Sequence, residues 1–320
     1  MKKIIVLRGG PSSEHEVSLK SGKSVINQLQ DNYKITDIVI DKEGNWVASG
    51  IIVEPHKITR DIDCVFNAMH GEYGEDGTVQ KLLEQLKVPY TGSSVLGSAV
   101  AMNKAMAKEI YKQHGIKTPI HKVINKTDNV DGVAMDLYKS FPMPAVLKPV
   151  SSGSSVGVSI TRDYKSLRET LISLFLRYEK VLIEEYIEGK EATVGIIEEF
   201  RDQKLYALPS VEIRKPADRD FFDYDAKYND ISQELCPGEF SPAEKELMQK
   251  MAIKSHQELG LRHYSRTDFR IHPKRGIYAL ETNSLPGLTG QSLMPKSLET
   301  VGIQYKEMLE HIINLAINQK

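Results

Sequence analysis

The chain has 320 residues, of which 40% are hydrophobic and 27% are charged, and its formal net charge is −1. This length exceeds that of one ordinary domain, and the composition is that of a soluble globular protein. The near-neutral charge argues against a general binder of nucleic acid or membrane surfaces. The sequence therefore favours a soluble protein of two or three domains that binds neither nucleic acid nor membranes.

The two cysteines, Cys64 and Cys236, lie far apart and have no CxxC spacing. This usage is typical of free thiols in a reducing compartment. The apolar run at residues 4–7 is too short for the apolar region of a signal peptide, and no apolar run approaches the length of a membrane span. We therefore expect a cytoplasmic protein.

The first predicted strand, Lys3–Leu7, is followed by a glycine turn and the start of a helix. This α/β pattern places ligands at the carboxyl ends of strands. The glycine spacing is not GxGxxG, so no dinucleotide is inferred. Glu14 lies at this crevice, where a carboxylate could hold a substrate ammonium group. The serines beside it have helix capping as their simpler explanation.

Two further strands are predicted at Ile35–Ile40 and Cys64–Asn67. The second leads into a loop, 68–78, that contains three glycines and several charged groups. His70 in this loop is either a structural hydrogen-bond partner or a substrate contact, and the sequence alone does not choose between them. A helix is predicted at Val79–Leu86.

Residues Ser94–His114 have the pattern of one helix, which contains Lys104. A lone lysine in a helix is more often a solvated surface residue than a ligand contact. The strand Ala145–Pro149 follows and ends beside a loop of serine and glycine, 150–157, after which Val156–Ile160 is predicted to continue as a strand.

The loop at 150–157 has the composition of a phosphate-binding loop. Small residues let backbone N–H groups approach an anion closely, and Lys148 just before the loop supplies a point charge for phosphate. The spacing is not that of a P-loop. A serine-rich hairpin turn without a ligand is the alternative.

Strands are next predicted at Val181–Ile187 and Glu191–Ile197, after a helix at Tyr164–Tyr178. The pair Glu184-Glu185 near the end of the first strand is a weak indication of an edge that binds adenine. A long stretch without regular pattern, 214–237, carries several aromatic residues, as lids often do. An ordinary surface loop is the alternative.

A helix is predicted at Pro242–Leu259, with Ser241 as its N-cap and Gly260 just past its end. A hairpin follows, whose strands join at the turn Pro273–Gly276. A final amphipathic helix is predicted at Gln304–Ile317.

The hairpin carries the strongest chemical signal. Residues two apart in a strand point to the same face, so Arg266 and Asp268 share a face, as do Glu281 and Asn283. A four-residue turn would pair the residue at 272 with Ile277 and thereby bring Asp268 opposite Glu281. Two carboxylates and an amide oxygen suit Mg²⁺, which usually completes its shell with phosphate oxygens. A hairpin with a polar, solvated face is the alternative.

These segments together resemble the ATP-grasp superfamily and, much more closely, the D-alanine–D-alanine ligase family. The resemblance runs essentially from end to end, and the motifs in order are highly specific. They are GGPSSEHEVS from Gly9, HGEYGEDGT from His70, YTGS from Tyr90, MNK ending at Lys104, KPVSSGSSVG from Lys148, YDAKY from Tyr224, RTD from Arg266 and ETNSLPGLT from Glu281.

The resemblance implies an α/β (α+β) three-domain ATP-grasp fold. Its parts are an N-terminal Rossmann-like substrate domain at 1–93, a central ATP-grasp domain at 94–187, and a C-terminal ATP-grasp domain at 188–320 that carries the metal site and the lid loop. ATP would lie between the central and C-terminal domains. A homodimer is also implied.

The implied reaction uses ATP, two Mg²⁺ (or Mn²⁺) ions and two D-alanine molecules. ATP phosphorylates the carboxylate of one D-alanine, and the amine of the second attacks the acyl phosphate to give the dipeptide used in peptidoglycan synthesis. Two alternatives remain open: a ligase of the same fold with D-lactate or D-serine as second substrate, and a nucleotide-binding protein without catalysis.

The resemblance also implies roles for residues by motif. The residues expected to hold ATP are Lys104, Lys148, Ser154, Ser155, Glu184, Glu185, Ile187 and Glu191. The metal ligands are Asp268, Glu281 and Asn283. The residues expected to bind substrate are Glu14, His70, Tyr224, Lys227, Arg266, Gly287 and Ser292. The residues expected at the reacting atoms are Glu14, Ser154, Tyr228, Arg266 and Gly287.

Two positions bear on specificity or depart from the family pattern. Tyr228 stands where relatives that make D-alanyl-D-lactate tend to have phenylalanine, so the tyrosine favours the dipeptide product. Glu185 stands where many relatives have lysine, which matters little if its backbone makes the nucleotide contact.

Overall fold

The computed structural model describes residues 1–153, 156–214, 233–290 and 292–318. These residues form three sheets with helices packed on them, which confirms the predicted α/β class. The three sheets follow one another along the chain.

The first sheet has the strand order β4-β3-β2-β1-β5, with β1 parallel to both β2 and β5. Its strands are β1 (Lys3–Gly9), β2 (Lys34–Ile40), β3 (Trp46–Ala48), β4 (Ile51–Ile52) and β5 (Cys64–Asn67). Its helices are α1 (His15–Leu29), α2 (Pro55–Ile58) and α3 (Thr78–Gln85). Ile4–Leu7 of β1 is fully buried, as expected of a central parallel strand.

The start of α1 differs from the capping prediction. Its N-cap residue, Glu14, makes no side-chain capping hydrogen bond. Ser12 Oγ instead accepts from the Glu14 N–H at 3.1 Å and donates to the His70 carbonyl at 2.7 Å. The serine therefore ties the loop after β1 to the loop after β5.

The second sheet is antiparallel, with the order β6-β9-β7-β8. Its strands are β6 (His121–Asn125), β7 (Ala145–Pro149), β8 (Ser159–Thr161) and β9 (Lys180–Glu185). The helices of this part are α4 (Val95–Met102), α5 (Lys104–Gln113), α6 (Val130–Ser140) and α7 (Tyr164–Phe175). Neither β6 nor α6 was predicted from the sequence.

Two predictions in this part are wrong in detail. The single helix predicted at Ser94–His114 is interrupted at Asn103, whose side chain accepts from the Met106 N–H and caps α5. The strand predicted from Val156 begins only at Ser159, because Val156 closes a turn by donating its N–H to the Gly153 carbonyl at 3.0 Å.

The third sheet has the order β13-β12-β10-β14-β15, and β11 pairs with β10. Its strands are β10 (Lys190–Phe200), β11 (Gln203–Ala207), β12 (Val211–Arg214), β13 (Gln233–Leu235), β14 (Tyr264–His272) and β15 (Gly276–Asn283). The helices are α8 (Pro242–Glu258), α9 (Leu293–Glu299) and α10 (Tyr305–Asn318). The largest core joins α10 to α1 and β1, so the C-terminal helix packs on the first sheet.

The β14–β15 hairpin pairs Asp268 with Glu281 and Arg266 with Asn283, as predicted, but its turn is shorter than predicted. His272 pairs with Gly276 and not with Ile277, so the loop has one residue fewer than predicted. A β-bulge at Leu280 restores the register, because a bulge places two residues of one strand opposite one residue of the other. Asp268 therefore lies opposite Glu281, as expected.

Within the described ranges, no helix is both long enough and apolar enough to cross a membrane.

The N-terminus of α8 yields a stability prediction. Ser241 Oγ accepts from the Glu244 N–H at 3.3 Å, and Glu244 Oε2 accepts from the Ser241 N–H at 2.8 Å, which is a capping box. Ser241→Ala should lower the free energy of unfolding by about 1 kcal/mol, measured by urea denaturation. Ser241→Thr keeps the hydroxyl that accepts from the Glu244 N–H and donates to Glu244 Oε2 at 2.8 Å, so its free energy of unfolding should stay within about 0.5 kcal/mol of that of the wild type. An equal loss in both variants would contradict the capping role.

Candidate active site

A cleft of about 500 Å³ is lined by all three parts of the chain. The second sheet contributes the ends of β7 and β9, the third contributes the facing ends of β14 and β15, and the loops after β1 and β5 contribute one rim. The described residues that were predicted at the site and line this cleft are Glu14, His70, Lys104, Lys148, Glu184, Glu185, Ile187, Glu191, Arg266, Asp268, Glu281, Asn283, Gly287 and Ser292.

Asp268 is held by several donors on the floor of the cleft. Arg266 contacts both of its oxygens, through Nε at 2.8 Å and Nη2 at 2.9 Å. Asn283 Nδ2 donates at 3.1 Å and Thr193 Oγ1 donates at 2.7 Å. The bidentate arginine pair is a strong, directional contact. It fixes the carboxylate opposite Glu281, so the two acids face the same space.

Lys104 connects this floor to the serine–glycine loop. Its Nζ donates to the Ser152 carbonyl at 2.6 Å and lies 3.3 Å from Glu281 Oε2. Its backbone N–H also donates to the Val150 carbonyl at 2.9 Å. The expectation for an isolated lysine, a solvated surface position, is therefore wrong here, because the Lys104 side chain is only 11% exposed.

Glu184 lies between two lysines in the wall of the cleft. Lys148 Nζ forms a short ion pair with its Oε1, and Lys108 Nζ lies 2.8 Å from its Oε2. Burial alone would raise the pKa of the Glu184 carboxyl, but the two ammonium groups hold that pKa below its usual value. Burial lowers the pKa of Lys108 to about 8, against the opposing effect of the Glu184 charge. The carboxylate is therefore ionised at neutral pH.

Glu14 and His70 form the rim contributed by the first sheet. His70 Nε2 lies 2.8 Å from Ser21 Oγ, and its Nδ1 lies 3.8 Å from Glu75 Oε1. Burial acts to lower the His70 pKa, yet the charges of Glu75 and Glu14 outweigh it and the pKa is raised. His70 is therefore both a structural hydrogen-bond partner and a residue of the cleft lining, so a substrate contact stays a prediction.

Gly153 brings the serine–glycine loop against Glu14. A Cβ at Gly153 would lie 2.4 Å from Glu14 Oε1, a distance that no real contact allows. The absence of a side chain therefore permits the loop to touch the carboxylate predicted to hold an ammonium group.

Gly287 and Ser292 also line the cleft. Ser292 Oγ accepts from the Thr289 N–H at 3.0 Å, and a Cβ at Gly287 would lie 2.9 Å from that Oγ. The two predicted substrate contacts are therefore adjacent, in the turn that leads from β15 into α9.

The residues predicted to bind adenosine are partly engaged already. The Glu185 N–H donates to the Ile120 carbonyl at 2.9 Å. Both oxygens of the Glu185 carboxylate accept from one nitrogen, Arg275 Nη2, at 2.9 and 2.8 Å. Glu191 Oε2 lies 2.9 Å from Arg270 Nη2. The departure from lysine at 185 therefore has a structural partner in this chain, Arg275.

The oxygen atoms on the cleft floor are of the types that bind a hard divalent cation. Two carboxylates and one amide converge there, all three being groups that Mg²⁺ accepts. Among the described residues, no group of three His, Cys, Asp or Glu side chains has the spacing to hold a metal.

Several predicted site residues lie outside the described residues. They are Ser154, Ser155, Tyr224, Lys227 and Tyr228.

Other residues of the site were missed by sequence reasoning. Lys108 follows Lys104 by four residues, so the two lie on one face of α5, and this spacing was an available signal. Arg270 follows Asp268 by two residues in β14, so strand alternation was an available signal for it. Thr193 gave none, because it reaches Asp268 only through pairing of β10 with β14. Lys296 pairs with Glu234 at 2.6 Å beside Ser292, across a sequence distance that no local pattern reveals.

Solved structures of known ligases have the same fold. One is the D-alanine–D-alanine ligase from Bacillus anthracis complexed with ATP, with a TM-score of 0.81 and 32% identity, covering 99% of this chain and 98% of that one. Another is the VanG D-Ala:D-Ser ligase from Enterococcus faecalis, with a TM-score of 0.85 and 26% identity, covering 98% and 99%. The chain is thus an ATP-dependent ligase of the ATP-grasp fold.

Sequence comparison narrows this class to one family. A model described as D-ala D-ala ligase N-terminus matches residues 3–57 and 51–93, and one described as D-ala D-ala ligase C-terminus matches residues 110–314. The D-alanine–D-alanine ligase of Syntrophobacter fumaroxidans is 38% identical over 317 residues, which cover 98% of this chain and 97% of that protein. The chain belongs to the D-alanine–D-alanine ligase family.

His70 yields a prediction on stability and pH. Its folded-state pKa is raised above the ordinary 6.5, so the stability it contributes is full below about pH 6.5 and is lost as the pH rises through the folded-state value. The excess melting temperature of the wild type over His70→Gln should therefore be larger near about pH 6 than near about pH 8.5. His56→Gln, at an exposed position, should show no such trend. A difference that grows with pH would contradict the assignment.

Proposed function

We propose that this chain joins two D-alanine molecules to form D-alanyl-D-alanine, with conversion of ATP to ADP and phosphate. The observation that carries the proposal is the cleft itself. Lysine ammonium groups, a pair of facing carboxylates and the Glu14 carboxylate all line one cavity, in a chain that matches its ligase relatives from end to end.

The proposed reaction has two steps. A carboxylate oxygen of the first D-alanine attacks the γ-phosphorus of ATP, which forms an acyl phosphate and releases ADP. The amine of the second D-alanine then attacks the acyl carbon and loses a proton, and inorganic phosphate leaves with the oxygen that first attacked. Positioning and electrostatics dominate such phosphoryl transfers.

For the nucleotide, we propose that Lys104 and Lys148 meet the phosphates with Ser154 and Ser155, and that Glu184, Glu185, Ile187 and Glu191 hold adenosine. The two-lysine arrangement supports this, because both lysines line the cleft and the Lys104 ammonium group contacts the loop at the Ser152 carbonyl. The Glu185 N–H is already used by Ile120, so its carbonyl is the backbone group that would meet adenine.

For the metal, we propose that Asp268, Glu281 and Asn283 hold two Mg²⁺ ions, or Mn²⁺. When bound, these ions neutralise charge on the phosphoryl group that is transferred. The facing register of Asp268 and Glu281 supports the assignment. The chain's own part is to hold both carboxylates in position, which Arg266 and Lys104 do through the contacts described above.

For the amino acids, we propose that Glu14 takes the ammonium group of the first D-alanine and that His70 supports that end of the cleft. Arg266 and the Gly287 N–H would stabilise the oxyanion of the tetrahedral intermediate. Ser292, with Lys227, would take the carboxylate of the second D-alanine. Tyr224 and Tyr228 are proposed as substrate contacts on the motif alone.

A second candidate function is ligation of D-alanine to a different second substrate. The structural similarity to a D-Ala:D-Ser ligase, with a TM-score of 0.85, makes D-serine a candidate second substrate. D-lactate is the other candidate. The dipeptide of two D-alanines is favoured because the chain is 38% identical to a D-alanine–D-alanine ligase. It is also favoured because Tyr228 stands where depsipeptide-forming relatives tend to have phenylalanine.

We also propose three domains, at 1–93, 94–187 and 188–320, since each sheet lies within one of these ranges. A cytoplasmic location is supported by the two free cysteines. A homodimer is proposed from family membership alone.

Asp268→Asn tests the metal and arginine site. The variant loses one negative charge, which weakens both the metal site and the pair with Arg266. Phosphate release from ATP, Mg²⁺ and D-alanine should fall by at least about 10²-fold, the usual loss when a charge-stabilising group is removed. Asp202→Asn, the same change at an exposed turn of the same sheet, should leave the rate unchanged. Wild-type activity in Asp268→Asn would rule out the assigned role.

Gly153→Ala tests the contact between the loop and Glu14. The added Cβ meets Glu14 Oε1 at 2.4 Å, so one of the two groups must move. Since misplacement of about 1 Å can cost 10²-fold in rate, the variant should lose roughly that factor. Gly290→Ala, where an added Cβ meets nothing within 4 Å, is the matched control. Equal rates for both variants would show that the contact is not needed.

Analysis of the reaction products identifies the second substrate. Phosphate release should require D-alanine and should not occur with L-alanine, and mass spectrometry should find D-alanyl-D-alanine. If release with D-alanine alone is negligible and appears only when D-serine or D-lactate is added, the alternative second substrate is correct.

A further inference from the structure

Lys108 is a buried cation that the proposed reaction does not use. It lies on α5, one helical turn after Lys104, and its side chain has no exposed surface. A buried ammonium group is costly unless it is paired and hydrogen-bonded. Its position beside the cleft wall therefore calls for an explanation in terms of its partners.

Those partners form a chain of charges that leads into the cleft. Lys108 Nζ donates to Thr118 Oγ1 at 2.9 Å and lies 2.8 Å from Glu184 Oε2. The other oxygen of Glu184, Oε1, forms the short ion pair with Lys148 Nζ. Each carboxylate oxygen thus contacts one ammonium group, and the carboxylate is fixed from both sides.

We propose that Lys108 is a positioning residue for the nucleotide phosphates, and that it acts through Glu184 on the ammonium group of Lys148. The inference rests on the proposed nucleotide role of Lys148. Lys148 and Glu184 line the cleft, whereas Lys108 lies behind them, so Lys108 acts without touching the nucleotide.

The charge balance of the cluster gives the physical reason. Lys108, Glu184 and Lys148 together carry a net charge of +1, and all three side chains are nearly or fully buried. Without the Lys108 charge, Lys148 and Glu184 would form a neutral pair. Glu184 would then pair with the Lys148 ammonium group alone, with no second cation to share its charge, so this ammonium group would be less available to a phosphate anion. Glu184 would also lose one of the two contacts that fix its orientation.

The pKa of Lys108, lowered by burial to about 8, is consistent with this role. At neutral pH the group remains protonated, so it can supply the charge that the cluster requires.

A purely structural role is the competing explanation. In that case Lys108 would fill a polar gap between α5 and β9, and its replacement would lower stability without a specific effect on phosphate binding. The two explanations differ in one measurable respect, which is whether the effect of replacing Lys108 depends on the presence of Lys148.

A double-mutant cycle on ADP binding decides between them. Titration calorimetry at neutral pH, without D-alanine, would compare wild type, Lys108→Met, Lys148→Met and the double variant. Lys108→Met should weaken ADP binding by about tenfold or more, the order of effect seen when a residue that orients a ligand-binding group is removed. In the Lys148→Met background, the same replacement should change the affinity by less than about twofold. Lys112→Met, an exposed lysine one turn further along α5, should bind ADP as the wild type does.

Two results would overturn the proposal: an unchanged ADP affinity in folded Lys108→Met, or an equal loss whether or not Lys148 is present. If Lys108→Met does not fold, Lys108→Gln takes its place in the same cycle, because it is polar and uncharged. Since ADP binding is measured without D-alanine, failure of the ligase assay and failure of this proposal are separate outcomes.

Discussion

The register of the β14–β15 hairpin is the constraint on which the site depends. Because side chains alternate between faces along a strand, a shift of one residue would turn Glu281 away from Asp268. The bulge at Leu280 absorbs the difference between the three-residue turn and the pairing of the two acids. Arg266, Thr193 and Lys104 then hold these acids in place. The floor of the cleft is thus determined by backbone geometry first and by charge pairing second.

The wall of the cleft that faces this floor is held mainly by ion pairs between buried side chains. On the wall formed by β7 and β9, buried ion pairs hold the side chains in place. Glu184 lies between Lys108 and Lys148. The Arg275–Glu185 pair links the hairpin turn directly to β9. The nucleotide proposed to bind between the two sheets would therefore meet side chains whose positions are fixed before it arrives, which lowers the cost of ordering them.

Much of this arrangement could be predicted from the sequence, for identifiable reasons. The facing of Asp268 and Glu281 follows from strand periodicity, and β7 follows from a short apolar run. The predictions that were wrong concern local details. Asn103 interrupts a helical pattern by capping α5, and the hairpin turn is shorter than its composition indicated. Lys108 was overlooked because a lysine in a helix looks solvated until the strand that buries it is known. Thr193 reaches Asp268 only through long-range pairing of strands.

The central claim is that a D-alanine carboxylate is activated by phosphorylation in this cleft. The most direct measurement uses D-alanine labelled with ¹⁸O in its carboxylate, and analyses the inorganic phosphate by mass spectrometry. Transfer through an acyl phosphate predicts one ¹⁸O atom in each phosphate released, because the attacking oxygen leaves with the phosphoryl group. Phosphate without the label would mean that water attacks ATP, and it would contradict the account.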